Sequence, residues 1–339
     1  MNEIEREAYA DGPVAGGAAC LSTGDRLATN DAPAPRKALR VRLRRSMTGE
    51  TVLREILREC ADQIAANVEV VWMSDDAEGP HQLRVGLRRL RSILAMFADI
   101  VRCDELDRLD KESRWLAKEV GELRDLDVVR RVVVDREIER HPAESALASL
   151  ASAIDTRAVA RREALCLTLV APRAQSLLHD LTQFIETRGW LLSMKLAQTT
   201  QLAMPVRDCA YRALEKRWRK VVRRGRRFRI LGDEERHDLR KELKKLRYTV
   251  EFFADLYKTK RVKPMVRRLK KLQNIFGALN DAQMARTILE SADLASPLNL
   301  QGQRAVGWVL GASQARAEVA WPDARKQWRK FKSTEPFWR

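Results

Sequence analysis

The stretch HQLRVGLRRLR, His81 to Arg91, returns as HDLRKELKKLR, His237 to Arg247. The offset is 237 − 81 = 156, and the same offset aligns Leu123-Arg124-Asp125 with Leu279-Asn280-Asp281. It also pairs Gly121 with Gly277, Phe97 with Phe253 and Asp99 with Asp255. One register kept across two separate stretches identifies an internal duplication rather than a coincidence of helical spacing. Two related helical units, disposed about a pseudo-two-fold axis, follow from it.

With His81 at zero and about 100° per residue, Leu83, Leu87, Leu90, Leu94 and Phe97 share one arc, the core face. His81, Arg84, Arg88 and Arg91 form a stripe along one edge of that arc. In the second copy Leu239, Leu243, Leu246, Val250 and Phe253 make the core, and His237, Arg240, Lys244 and Arg247 make the stripe. Arg89 and Lys245 fall on the far side and read as solvated charges. Cations that border a core face line a groove between packed helices. Spread over about 15 Å of helix, they match a repeating anion better than a small one. Their mutual repulsion is a cost that a bound polyanion removes, and arginine's planar fork suits phosphate oxygens.

Outward from these stretches the chain reads as helix almost throughout, with apolar residues at three- and four-residue steps and little strand-type alternation. Candidate helices are 50–73, 80–101, 104–120, 125–140, 143–170, 172–188, 204–229, 233–257, 264–276, 281–293 and 300–331. The expected architecture is all-α, with a first bundle over 47–190 and a second over 204–333 around a basic central groove. Residues 1–46 read as an N-terminal extension, a disordered lead-in rich in Ala, Gly, Pro, Ser and Thr from Asp11 to Pro35 and then a cationic run from Arg36 to Arg45.

The balance of Lys+Arg 64 against Asp+Glu 47 gives a formal +17 over 339 residues, which favours polyanionic partners without choosing among them. The five cysteines, Cys20, Cys60, Cys103, Cys166 and Cys209, show neither a disulfide framework nor zinc-type spacing. Reduced thiols in a cytoplasmic protein are the expectation. No signal-peptide pattern or membrane-length apolar run is evident.

The remaining motifs admit bland readings. Pro80 opens a helix capped by Gly79 or the Asp75-Asp76 segment, and Asp233 caps the helix carrying His237. The two histidines then either contact an anion near a helix start or make structural hydrogen bonds. His141 and His179 read as surface residues. Asp125 and Asp281 follow glycines and read as N-caps of new helices, with Mg²⁺ bound beside phosphate as the alternative. In the basic run 212–229, helical phase puts Lys216, Arg219, Arg223 and Arg226 on one side, and Trp218 reads as a core anchor. Lys270 and Lys271 could line the site or meet solvent.

The paired blocks at 81–91 and 237–248, with Leu-Arg-Asp-Leu-Asp127, resemble the CHAD domain, the conserved histidine α-helical domain, over about residues 47–330. The resemblance implies two four-helix bundles with internal pseudo-symmetry around a basic cavity, binding of inorganic polyphosphate and association with polyphosphate granules. Carried over by position, it implicates His81, Arg84, Arg88, Arg91, His237, Arg240, Lys244 and Arg247; Arg219 and Arg223 are added by helical phase alone. The expected function is non-catalytic polyphosphate binding, without cofactor or metal. No Gly-rich phosphate loop or nucleophile–base pair supports an enzyme. Sequence-independent nucleic-acid binding is the alternative, since no groove-reading motif or base-stacking platform is present. A granule or membrane-surface scaffold tethered through 36–45 is another.

Overall fold

Long amphipathic stretches need partners for their dry faces, and here they find them in each other. The computed structural model describes residues 33–192, 195–291, 294 and 298–339. In chain order its helices are α1 (Gly49–Met73), α2 (Glu78–Val101), α3 (Asp104–Val128), α4 (Asp135–Arg140), α5 (Ser145–Val170) and α6 (Pro172–Glu186). There follow α7 (Leu196–Leu202), α8 (Val206–Arg224), α9 (Asp233–Phe253), α10 (Thr259–Leu289) and α11 (Leu300–Lys332). Among the described residues there is no strand, only an isolated antiparallel bridge between Thr48 and Pro205. It joins the starts of the two halves: 205 − 48 = 157, within one residue of the repeat offset.

Local chemistry sets several helix starts. The Thr48 hydroxyl accepts from the Thr51 N–H at 3.3 Å, and Asn299 Oδ1 accepts from the Gly302 N–H at 2.9 Å. α2 opens at Glu78 rather than at Pro80; its N-cap is Ala77, and Asp76 Oδ1 accepts from the Glu78 N–H at 2.8 Å. Gly232, not Asp233, is the N-cap of α9, with Glu235 reaching back to the Gly232 N–H at 3.0 Å. Asp233 is instead the first helical residue, where its charge still favours the helix dipole.

Two expected breaks do not occur. α3 runs through Gly121 and Asp125, then continues by a π-helical turn, Val129–Val134, into α4. α10 likewise passes Pro264, Gly277 and Asp281 without interruption. A helical glycine costs about 1 kcal/mol, and an unbroken buried row (Leu116, Val120, Leu123, Leu126) offsets it in α3. Asp125 and Asp281 are therefore interior helical residues and not caps.

The halves do not keep separate cores. The main core draws on α1, α2 and α3 together with α8, α9 and α10. A second cluster joins Leu126, Val129, Val133 and Leu150 to Ala285, Leu289 and Val309. Packing of α1 against α2 also corrects one expectation: Arg89 is buried. Its Nη1 donates to Gln63 Oε1 at 3.0 Å and lies 3.6 Å from Glu59. Lys245 is half-buried, donating to Glu242 at 2.9 Å. The cationic run after residue 35 lies extended along α1. Asn67 Nδ2 donates to the Arg36 carbonyl at 2.8 Å, Arg36 pairs with Glu59 at 3.0 Å, and Arg40 pairs with Asp255. The rest of the expected extension, residues 1–32, and Cys20 with it, lies outside the described residues. Cys60 and Cys166 are buried, and Cys103 and Cys209 half-buried.

Aromatic rings close the far end. Phe228 stacks between Trp321 and Trp328, at 5.1 and 5.0 Å between centroids. Trp218 is buried against Phe331 and Trp338, a core anchor as expected, so the core extends past residue 333. Phe228→Ala should cost about 3–5 kcal/mol, read as a lowered midpoint in urea. A β-carbon at Gly225 would overlap the Trp328 indole.

Candidate anion-binding site

α2 and α9, which carry the two stripes, pack against each other. The cations of one stripe thereby enter the field of the other. The Arg88 guanidinium is made less basic than usual by burial first, and Arg84 and Arg247 add to this. Arg240 is lowered by burial too, with Arg88 and Arg84 acting across the seam. Lys244 shows the effect most strongly. Burial, then Arg88, Arg240, Arg84 and Arg247, push its ammonium down to about 6.

Carboxylates do not balance these charges evenly. Arg84 Nη1 donates to Asp125 Oδ1 at 2.5 Å, and Arg91 Nε donates to Asp110 Oδ1 at 3.2 Å. Among the described residues Arg88, Arg240 and Lys244 make no ion pair or side-chain hydrogen bond. The Nε groups of Arg88 and Arg240 are buried without an acceptor. Arg247 Nε lies 3.2 Å from Glu251 Oε1 but lacks hydrogen-bond alignment, so it too is an unsatisfied donor. Asp281, the counterpart of Asp125, has its carboxyl raised by burial, against the pull of Arg240 and Lys244. Unsatisfied buried donors on cations are costly. An anion is a group that can accept from such donors.

The histidines occupy unlike surroundings. His81 is half-buried beside Glu78, and its imidazole is lowered by burial and then by Arg124. His237 is exposed, lowered by burial and then by Lys241 and Arg240. Both therefore favour the neutral form at pH 7, and a nearby phosphate would raise both. His141 and His179 are exposed, as expected.

Arg219 and Arg223 are exposed on α8. Arg219 donates to Glu215 at 2.8 Å, and Glu215 is shared with Arg339 and Trp338; Arg223 is exposed on the same helix. α8 meets α9 through Lys220–Glu242 and Arg224–Asp238, on the flank of α9 away from its stripe. Arg124 was missed in the sequence. Burial lowers it, and it acts on both His81 and Asp281. Its signal was weak, because the repeat puts Asn280 at the matching position. Tyr248, buried at the end of the second block, was missed as well and stands in the field of Arg88.

A cavity of about 520 Å³ lined by Glu137, Arg140, His141, Trp308 and Arg316 lies elsewhere, and there Glu137 already pairs with Arg316. Among the described residues no group of three or more His, Cys, Asp or Glu is placed to hold a metal, and no helix is long and apolar enough to cross a membrane.

The sequence matches the family model of the CHAD domain over residues 55–290. The fold is similar to the crystal structure of the CHAD domain from the plant Ricinus communis, with TM-score 0.77 and 25% identity, covering 89% of this chain and 98% of that one. It is also similar in fold to PptA from Streptomyces chartreusis, with TM-score 0.59 and 16% identity, covering 83% and 99%. Comparison with curated proteins gives no match.

Proposed function

The chain belongs to the CHAD domain family, and from that premise we infer that it binds inorganic polyphosphate along the α2–α9 seam without altering it chemically. One observation carries the reading. Arg88, Arg240 and Lys244 stand together, desolvated and, among the described residues, without ion-pair partners, with two buried guanidinium donors lacking acceptors. A small anion would satisfy one of them. A phosphate chain offers acceptors at each successive cation and cancels the repulsion along the whole seam. His81, Arg84, Arg91, His237 and Arg247 border the same track.

Titration with polyphosphate of graded length, beside duplex DNA, tests this at physiological salt. Affinity should rise with chain length and fall steeply with added salt, as expected when several phosphates are neutralised. DNA should compete weakly, because its phosphates belong to a wide duplex and the free cations sit between packed helices. Equal competition by DNA would favour the backbone-only nucleic-acid reading instead. Phosphate release from polyphosphate, with and without Mg²⁺, should stay at background. Targeting to polyphosphate granules in the cytoplasm is the cellular consequence, read as granule co-localisation of a fluorescent fusion.

A further inference from the structure

We propose that the two stripes are unequal: the α9 stripe is the open anion subsite, and the α2 stripe is masked by Asp110 and Asp125 of α3, which a phosphate chain must displace. This rests on the polyphosphate reading above and says which half of the site the ligand engages first.

Two of the three arginines of the α2 stripe are already bound. Arg84 donates to Asp125 at 2.5 Å, and Arg91 to Asp110 at 3.2 Å. Gly121, one turn before Asp125, lies beside the first contact. A β-carbon there would stand 3.4 Å from the Arg84 Cζ and Nη2 atoms, so the guanidinium lies close against α3. Arg114 holds Asp110 in place at 2.8 Å.

The α9 stripe lacks this cover. Asp110 has no acidic counterpart, since 110 + 156 = 266 and residue 266 is a valine. Asp281 does match Asp125, but among the described residues it forms no ion pair with Arg240 or Lys244. A β-carbon at Gly277 would meet nothing within 4 Å, so no guanidinium rests on that glycine as Arg84 rests on Gly121. Arg247 finds its carboxylate, Glu251, on its own helix.

The physical consequence is a difference in net gain. At Arg240 an incoming phosphate satisfies a buried donor that has no acceptor among the described residues, and at Lys244 it meets an amine that makes no ion pair there. At Arg84 and Arg91 it only replaces one anionic acceptor by another, and the displaced carboxylate repels it. Asp125 acts on Arg88 and Arg240 as well, so its charge opposes an anion anywhere near the middle of the seam. Asp110 and Asp125 are thus positioning residues that set how strong a polyanion must be to occupy the whole track.

Three variants test the inequality by titration with a long polyphosphate and with triphosphate. Asp110→Asn/Asp125→Asn should bind the long chain more tightly, by roughly tenfold or more, while its melting temperature falls. Arg240→Gln/Lys244→Gln should lose triphosphate binding, whereas Arg84→Gln/Arg91→Gln should largely keep it. An asparagine pair that binds no tighter, or two glutamine pairs that lose triphosphate equally, would overturn the inequality. Should the asparagine pair fail to fold, the two glutamine pairs decide alone. Absence of polyphosphate binding by the unaltered chain would instead overturn the underlying reading.

Discussion

Arg88→Glu combined with Arg240→Glu should weaken polyphosphate binding by more than about 100-fold while leaving the fold intact. Each substitution removes a buried guanidinium donor that has no acceptor among the described residues. A charge-assisted hydrogen bond contributes about 1.5–3 kcal/mol, and every 1.4 kcal/mol is about tenfold in affinity. The reversed charges then repel the chain as well. Folding should tolerate the change, because each new carboxylate lies among cations (Arg84, Arg247 and Lys244) and relieves their repulsion. Fluorescence anisotropy with labelled polyphosphate measures the loss, and thermal denaturation checks the fold. A folded double variant that binds as the original does would exclude the seam as the site.

Lys244→Met should raise stability near pH 7 and remove a proton taken up on ligand binding. The fold holds the Lys244 ammonium at about 6 against an ordinary value of 10.5, through burial and four neighbouring arginines. Below pH 6 the lysine is charged in both the folded and unfolded chain, and the full cost of burying that charge is present. As pH rises from 6 toward 10.5, the folded chain has released the proton and the unfolded chain has not. The cost therefore shrinks through that window, and stability rises relative to the methionine variant by at most about 1.4 kcal/mol per pH unit. A bound polyanion restores the charged form. At pH 8, where both histidines are neutral in the free protein, binding should take up close to one proton, and affinity should fall as pH rises further. Calorimetry in two buffers of different ionisation enthalpy measures the uptake. Unchanged proton uptake in Lys244→Met would show that another group carries it.

The gap between sequence and structure falls at identifiable residues. Helical phase placed Leu83, Leu87, Leu90 and their counterparts in the core, where they are fully buried. It also separated the stripe cations from the core, since phase depends only on spacing along one helix. The same method failed at Arg89, whose phase faces α1, and phase alone says nothing of where α8, with Arg219, docks. Gly121 and Gly277 misled because a glycine before an acidic residue is the local signature of a helix boundary. Whether the helix continues depends on packing along its whole length.

What the sequence determined by itself is the all-helical architecture, the repeat offset and the residue types in each stripe, because these rest on periodicity and self-similarity within the chain. What only the tertiary structure decided is which charges remain unpaired. The repeat makes the two stripes equivalent, yet α3 supplies Asp110 and Asp125 to one, and α10 offers the other Asp281, which forms no ion pair among the described residues. Ion pairing depends on distances between helices far apart in sequence, and a matched motif cannot fix those distances.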